Sequence, residues 1–194
     1  MRSEIYNFTN FIFSHFYHYR DGIISKDYLA EAENLAYQDA TFYNPKLGLK
    51  LFENNLTTYS NSLLVYLYRL GNLIQSTNPN SESLEIISAA MKMHFSSEIY
   101  FNNKIGVGFM PIHCLGTVIG SRNTIGKGFK IYQSCTIGHT ERENKGAKIG
   151  DNFILYSGSS VLGDVKICNN VKVASNSVVL NDIQNAGLYM GLIK

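Results

Sequence analysis

From Ile119 onward an aliphatic residue returns at every sixth position: Ile119, Ile125, Ile131, Ile137, then Ile149, Leu155, Val161, Ile167, Val173 and Val179. Glu143 alone breaks the series, and Ile149 resumes it in phase. A period of six is neither the 3.6 of a helix nor the 2 of a strand. It is the period of a hexapeptide β-helix, in which three six-residue sides close one triangular coil. The aliphatic residue of each side is expected to point into the prism and stack on its equivalents in neighbouring coils. Glycine follows it at Gly120, Gly126, Gly138 and Gly150, which suits corners with positive φ or close packing. The series extends backwards through Ile105 to Ile99, but Ile105 and Ile119 lie 14 positions apart instead of 12. Two extra residues must bulge there, and His113 lies in that irregular stretch. The polar run from His139 to Lys148 also leaves the pattern and reads as a projecting loop.

Before about residue 96 the pattern is helical. Asn7–Tyr19 reads as a first helix, stopped near Asp21-Gly22. Ser25 can cap a second, running to about Tyr37, with Tyr28, Leu29, Ala32, Leu35 and Ala36 on one side. Asn44-Pro45 and Gly48 punctuate the chain. Ser62–Gln75 is strongly apolar and reads as a buried helix, with a membrane-surface or subunit-contact face as the alternative. After the turn Asn78-Pro79-Asn80, Ser81 caps a helix over Leu84–Met93. The chain therefore divides into an α-helical segment, residues 1–96, and a β-helical segment, residues 97–194. The fold class is α+β.

Composition narrows the function classes. The 194 residues carry a net charge of +2, too small to argue for nucleic acid or an anionic membrane. Cys114, Cys135 and Cys168 form no CxxC pair, so neither a disulfide framework nor a structural zinc site is suggested. No cleavable leader is evident, and no apolar run reaches the length of a membrane span. These features imply a cytoplasmic protein.

Most enzymes built on this repeat move an acyl group from acyl-CoA to an amine or a hydroxyl. Transfer to a hydroxyl needs a base for its proton, a group holding that base in one tautomer and N–H groups for the oxyanion. His113, in the bulge, is the candidate base. Glu98 stands 15 residues earlier, within one coil of about 18, and should lie in the coil below. Cys114 beside His113 is the alternative nucleophile. In an extended chain, though, adjacent side chains point to opposite faces. A zinc enzyme on this repeat would need three histidine ligands, and only His113 and His139 fall in the repeat region; no metal is expected.

The segment from Glu98 to the C-terminus resembles the catalytic domain of serine acetyltransferases and of related enzymes that acetylate polysaccharides. The run IHCLGTVIG (Ile112–Gly120) is similar to that family's DHxxG motif, IYQSCTIGHT (Ile131–Thr140) to its LQSVTLGGT. Ala147–Ile167 and Lys172–Ile183 resemble its final coils. The resemblance implies a left-handed parallel β-helix, acetyl-CoA as acyl donor, and a homotrimer or dimer of trimers. It puts His113 at the catalytic base and Glu98 at the dyad carboxylate. Gly138, His139, Ser157, Gly158, Ala174 and Ser175 fall along the pantetheine path, Lys172 near a CoA phosphate, and Ile112 and Lys145 at acceptor positions. His139 stands where the family has glycine, and it reads either as a group reaching a neighbouring subunit's site or as an exposed loop residue.

The departures bear on the acceptor. Serine acetyltransferases carry Asp where this chain has Ile112. They also carry an Arg-His-Pro after the loop where it has Lys145-Gly146-Ala147. The N-terminal half shows no evident counterpart of the family's other serine-binding aspartate. A zwitterion needs both charges met, so this pattern points to a neutral sugar hydroxyl, of a bacterial capsule or O-antigen, as acceptor. Serine O-acetylation for cysteine synthesis is the alternative enzyme, and a non-catalytic assembly scaffold is the alternative class.

Overall fold

Each six-residue side becomes one short strand ended by a turn, because a single inward aliphatic residue per side leaves no periodic signal for anything longer. The computed structural model describes residues 3–15, 24–46, 61–139 and 145–194. Its strands stack into three parallel sheets. The first contains β1 (Glu98–Ile99), β4 (Val118–Ile119), β7 (Thr136–Gly138), β10 (Ser160–Leu162), β13 (Val178–Val179) and β15 (Leu192–Ile193). The second contains β2 (Lys104–Ile105), β5 (Thr124–Ile125), β8 (Lys148–Ile149) and β11 (Lys166–Ile167). The third contains β3 (Met110–Pro111), β6 (Lys130–Ile131), β9 (Ile154–Leu155), β12 (Val171–Val173) and β14 (Gly187–Tyr189).

The register follows the sequence period. Ile99, Ile119, Ile137, Val161 and Val179 form one inward file, each paired with the next across the first sheet. In the third sheet Pro111 takes the inward place below Ile131, Leu155 and Val173. All of these side chains are buried. Phe109, Phe129 and Phe153 stack through the prism at 5.5 and 5.9 Å between ring centres.

The N-terminal helices are α1 (Ser3–Phe13), α2 (Lys26–Thr41), α3 (Asn61–Thr77) and α4 (Glu82–Phe95). The first helix starts earlier than predicted, at Ser3, and ends at Phe13, short of the predicted Tyr19, with Ser14 and His15 in a turn; residues 16–19 lie outside the described residues. Ser25 and Ser81 cap α2 and α4, each hydroxyl accepting a backbone N–H at 3.3 Å. α3 is a buried helix: Leu63 through Gly71 are all buried, as is Ile74. It packs on both α2 and β3. Gly71 is required there, since a Cβ would lie 2.3 Å from the Phe101 ring. The Tyr68 hydroxyl donates to the Asn103 carbonyl at 3.0 Å, and Asn72 Nδ2 donates to the carbonyls of Phe101 and Asn103. These bonds tie α3 to the first full coil and so fix the helices against the β-helix at the level of His113.

Candidate functional site

The two extra residues predicted between Ile105 and Ile119 are accommodated just after β3. The Ile112 N–H donates to the Ile131 carbonyl at 2.7 Å, and the Ser134 N–H donates to the Leu115 carbonyl at 2.9 Å. Between those two bonds His113 and Cys114 lie against Tyr132 and Gln133 of the next coil. The turn is tight: the Leu115 N–H folds back onto the His113 carbonyl. His113 has φ +52° and Gly116 φ +67°. A non-glycine residue in the left-handed region costs on the order of 1 kcal/mol, a cost the surrounding coil bonds must hold in place. The outcome is an exposed imidazole. Cys114 instead turns inward and is buried. Burial pushes its thiol up to about 12, so it stays protonated near neutrality and is a poor nucleophile.

Glu98 begins β1, two residues beyond the corner that supports this bulge. The Gly116 N–H donates to the Ser96 carbonyl at 2.9 Å, and the Ser97 hydroxyl donates to the Cys114 carbonyl. The chain at 96–98 and the His113 turn are thus neighbours in adjacent coils, as the spacing implied. The carboxylate, however, takes a partner that the sequence did not reveal. Lys92 Nζ, from the last turn of α4, lies 2.6 Å from Glu98 Oε1. Among the described residues no hydrogen bond joins Glu98 to His113. The carboxylate holds the Lys92 ammonium above its ordinary value. Both groups border a groove of about 750 Å³ between α4 and the first coil.

A second cavity, of about 190 Å³, lies where α2 and α3 meet the chain entering the bulge; its lining includes Asp39, Ser62, Val65, Met110 and Ile112. Asp39 and Arg69 are both buried there. The carboxylate accepts from Arg69 Nε at 2.8 Å and Nη2 at 2.9 Å. It also accepts from the backbone N–H groups of Gly108 at 2.8 Å and Phe109 at 3.0 Å. Arg69 in turn donates to the carbonyls of Ile105 and Gly106. Sequence reading missed this pair. Arg69 in the middle of an otherwise apolar run was its signal, because a buried guanidinium demands a partner.

The remaining predicted positions are spread along the prism. Gly138 ends β7, and the chain from 140 to 144 lies outside the described residues. His139 Nε2 lies 3.0 Å from the Ser121 hydroxyl and 3.1 Å from Arg122 Nη2. A guanidinium only donates, so Nε2 accepts and the ring proton sits on Nδ1. Lys145 and Lys172 are exposed. Ser157 and Ser175 occupy equivalent corners of successive coils with their hydroxyls 3.1 Å apart, beside Gly158 and Ala174. Among the described residues no group of three or more His, Cys, Asp or Glu side chains could hold a metal. Nor is any described helix long and apolar enough to cross a membrane.

Comparison with known proteins bears on what this arrangement is for. Residues 146–181 match the family described as bacterial transferase hexapeptide (six repeats). A serine acetyltransferase of Staphylococcus epidermidis is 34% identical over 140 residues, covering 71% of this chain and 65% of that protein. The chain thus spans just under two thirds of that relative's length. The structure of a soybean serine acetyltransferase complexed with serine superposes with a TM-score of 0.72 at 25% identity, covering 86% of this chain and 68% of that one. A serine acetyltransferase in complex with CoA shares the fold, with a TM-score of 0.70 at 22% identity over 86% of this chain and 68% of that one. These relatives overturn the expectation of a capsular or O-antigen sugar as acceptor. That expectation rested on missing charges near Ile112, and the structure brings the Asp39 carboxylate to the cavity that Ile112 lines. The chain carries the hexapeptide repeat of bacterial transferases over residues 146–181 and is similar in sequence and fold to serine acetyltransferases.

Proposed function

We propose that this protein transfers the acetyl group of acetyl-CoA to the hydroxyl of serine. One observation carries the reading: the His113 imidazole is held out of the coil on a strained bulge, directly after the residues that line the Asp39 cavity. His113 takes the hydroxyl proton as the serine oxygen attacks the thioester carbonyl. The negative charge on the carbonyl oxygen is met by backbone N–H groups following Gly138. As the C–S bond breaks, the imidazolium returns the proton to the CoA sulfur. Glu98 holds the imidazole in the productive tautomer and stabilises its charged form. Its Oε1 carries the ion pair with Lys92, so Oε2 is the oxygen that turns to the ring.

The serine ammonium belongs toward Asp39. Its carboxylate is neutralised by Arg69, yet Oδ2 receives one hydrogen bond where Oδ1 receives three. Ile112 contributes shape at this position. The pantetheine arm runs along the corner of Gly138, Ser157, Gly158, Ala174 and Ser175, with Lys172 toward a phosphate and Lys145 and His139 at the mouth of the loop. The prism is left-handed and assembles as a trimer, with the helices forming the separate N-terminal unit.

The test is direct. Purified protein with acetyl-CoA and L-serine should release free CoA thiol in proportion to serine, with O-acetylserine identified by mass. Thiol release that ignores serine would overturn the assignment.

A further inference from the structure

The turn that carries His113 is held by a buried hydroxyl outside the dyad. The peptide unit between Cys114 and Leu115 is bonded at both ends. Its N–H folds back onto the His113 carbonyl, and its carbonyl accepts the Ser97 hydroxyl. A peptide group is planar and moves as one piece. Fixing the Cys114 carbonyl therefore fixes the Leu115 N–H, and with it the carbonyl of the base. Ser97 is 2% exposed, so water does not compete for the bond. Its hydroxyl also lies 3.1 Å from the Phe95 carbonyl, which sets it between the end of α4 and the turn. The backbone bonds nearby hold the flanks: the Gly116 N–H donates to the Ser96 carbonyl, and the Leu115 carbonyl accepts from the Ser134 N–H, both at 2.9 Å. Neither bond reaches the Cys114 carbonyl. His113 has φ +52°, a conformation that persists only where its surroundings over-determine it. Once the Cys114–Leu115 plane turns, the His113 carbonyl loses its N–H partner. The backbone can then relax toward the right-handed region and carry the imidazole with it.

We propose that Ser97 is a positioning residue for the reaction: through the Cys114–Leu115 peptide, its hydroxyl holds the His113 imidazole at its working angle. The inference rests on the reading of His113 as the base given above. It also gives one short segment a hold on both members of the dyad. Ser97 and Glu98 are consecutive, and consecutive side chains of an extended chain take opposite faces. Ser97 is buried against the turn of the base, while Glu98 borders the groove beside α4. The register of β1 on β4 therefore sets base and carboxylate together.

The experiment starts from Ser97→Ala, which removes the hydroxyl alone. The kcat for acetyl transfer should fall about tenfold, the effect of one neutral hydrogen bond shielded from water. KM for serine and for acetyl-CoA should each change less than about threefold, because ground-state contacts are untouched. Ser97→Thr keeps the hydroxyl and should hold kcat within about threefold of wild type. Amide hydrogen exchange followed by NMR reads the turn itself: the Leu115 N–H should lose about tenfold in protection in Ser97→Ala and keep it in Ser97→Thr. A double variant separates positioning from bulk stability. Because Ser97 acts through the base, Ser97→Ala should lower turnover no further once His113 is replaced by Ala. Unchanged kcat in a folded Ser97→Ala protein, unchanged Leu115 protection, or an additive loss in the double variant would overturn the proposal. If Ser97→Thr folds poorly, Leu115 exchange in Ser97→Ala and the double variant decide without it. Full activity in His113→Ala would overturn base and brace together, whereas a loss there beside unchanged kcat in Ser97→Ala would keep the base and reject Ser97 alone.

Discussion

Replacing Asp39 with Ala would remove four hydrogen bonds from one buried carboxylate, two from Arg69 and two from the backbone at Gly108 and Phe109. It would leave the Arg69 guanidinium buried with only the carbonyls of Ile105 and Gly106 for partners. Breaking a buried ion pair from one side typically costs about 3–5 kcal/mol, mostly the penalty of the charge left behind. For a chain of this size each kcal/mol shifts the midpoint by about 2–4 °C, so Asp39→Ala should melt about 10 °C lower. Asp39→Asn should also be destabilising, because one amide nitrogen must face the N–H donors of Arg69 or of Gly108 and Phe109. The double variant Asp39→Ala/Arg69→Met should cost clearly less than the sum of the single changes, since the stranded charge goes with its partner. Urea unfolding followed by circular dichroism gives all three values, and serine KM measured on the folded variants should rise. A loss below about 1 kcal/mol for Asp39→Ala, or strict additivity in the double variant, would refute the view that this pair ties the helices to the coil that leads into His113.

Three further outcomes follow from the site. His113→Ala should lower acetyl transfer at least about a hundredfold with assembly intact, and Cys114→Ala should be near neutral for turnover; full activity in a folded His113→Ala protein would remove the base from the mechanism. Glu98→Gln should lower kcat while barely changing acetyl-CoA affinity, and Lys92→Met should also change kcat, because it removes the ammonium paired with Glu98. If Lys92→Met leaves kcat unmoved, the ion pair is a surface contact without a part in the reaction. The buried thiol sets the sign of a stability effect. Between its ordinary value and about 12, the unfolded chain loses the Cys114 proton while the folded chain keeps it. Unfolding then releases a proton, and stability falls as pH rises through that window. The stability difference between wild type and Cys114→Ala should accordingly shrink from pH 8 to pH 10 in urea titrations.

The β-helix was legible because its period is imposed by one inward residue per side, and a six-residue period competes with no other local structure. The bulge was legible for the same reason: an arithmetic defect of two positions must leave the prism somewhere, and it left at His113. What the local pattern could not supply was the partner of each charged group. Nothing in the spacing of α4 and β1 distinguishes a Glu98 that faces His113 from one that takes Lys92 across the end of the helix. His139 was equally undecidable, because its tautomer is set by Arg122 one coil below.

The acceptor shows how such a gap turns into a wrong inference. Ile112 and Gly146 subtract charges that a serine site would use, and the subtraction was read as a neutral site. The polarity of a cavity is set by everything folded around it, and here α2 and α3 bring a carboxylate already paired with a guanidinium. Asp39 bonds to Gly108 and Phe109 across 69 and 70 residues of sequence. No motif links those positions; only the packing of α2 and α3 against β3 does. Arg69 was the available clue, because an arginine amid Leu63, Leu64, Leu67 and Leu70 cannot be buried alone. Its charged partner is Asp39 on the facing helix α2, which also lines the cavity next to Ile112. A missing motif residue therefore argues against a ligand only after the buried charges of the surrounding helices have been matched. In this chain the matching puts Asp39, paired with Arg69, on the cavity that Ile112 lines.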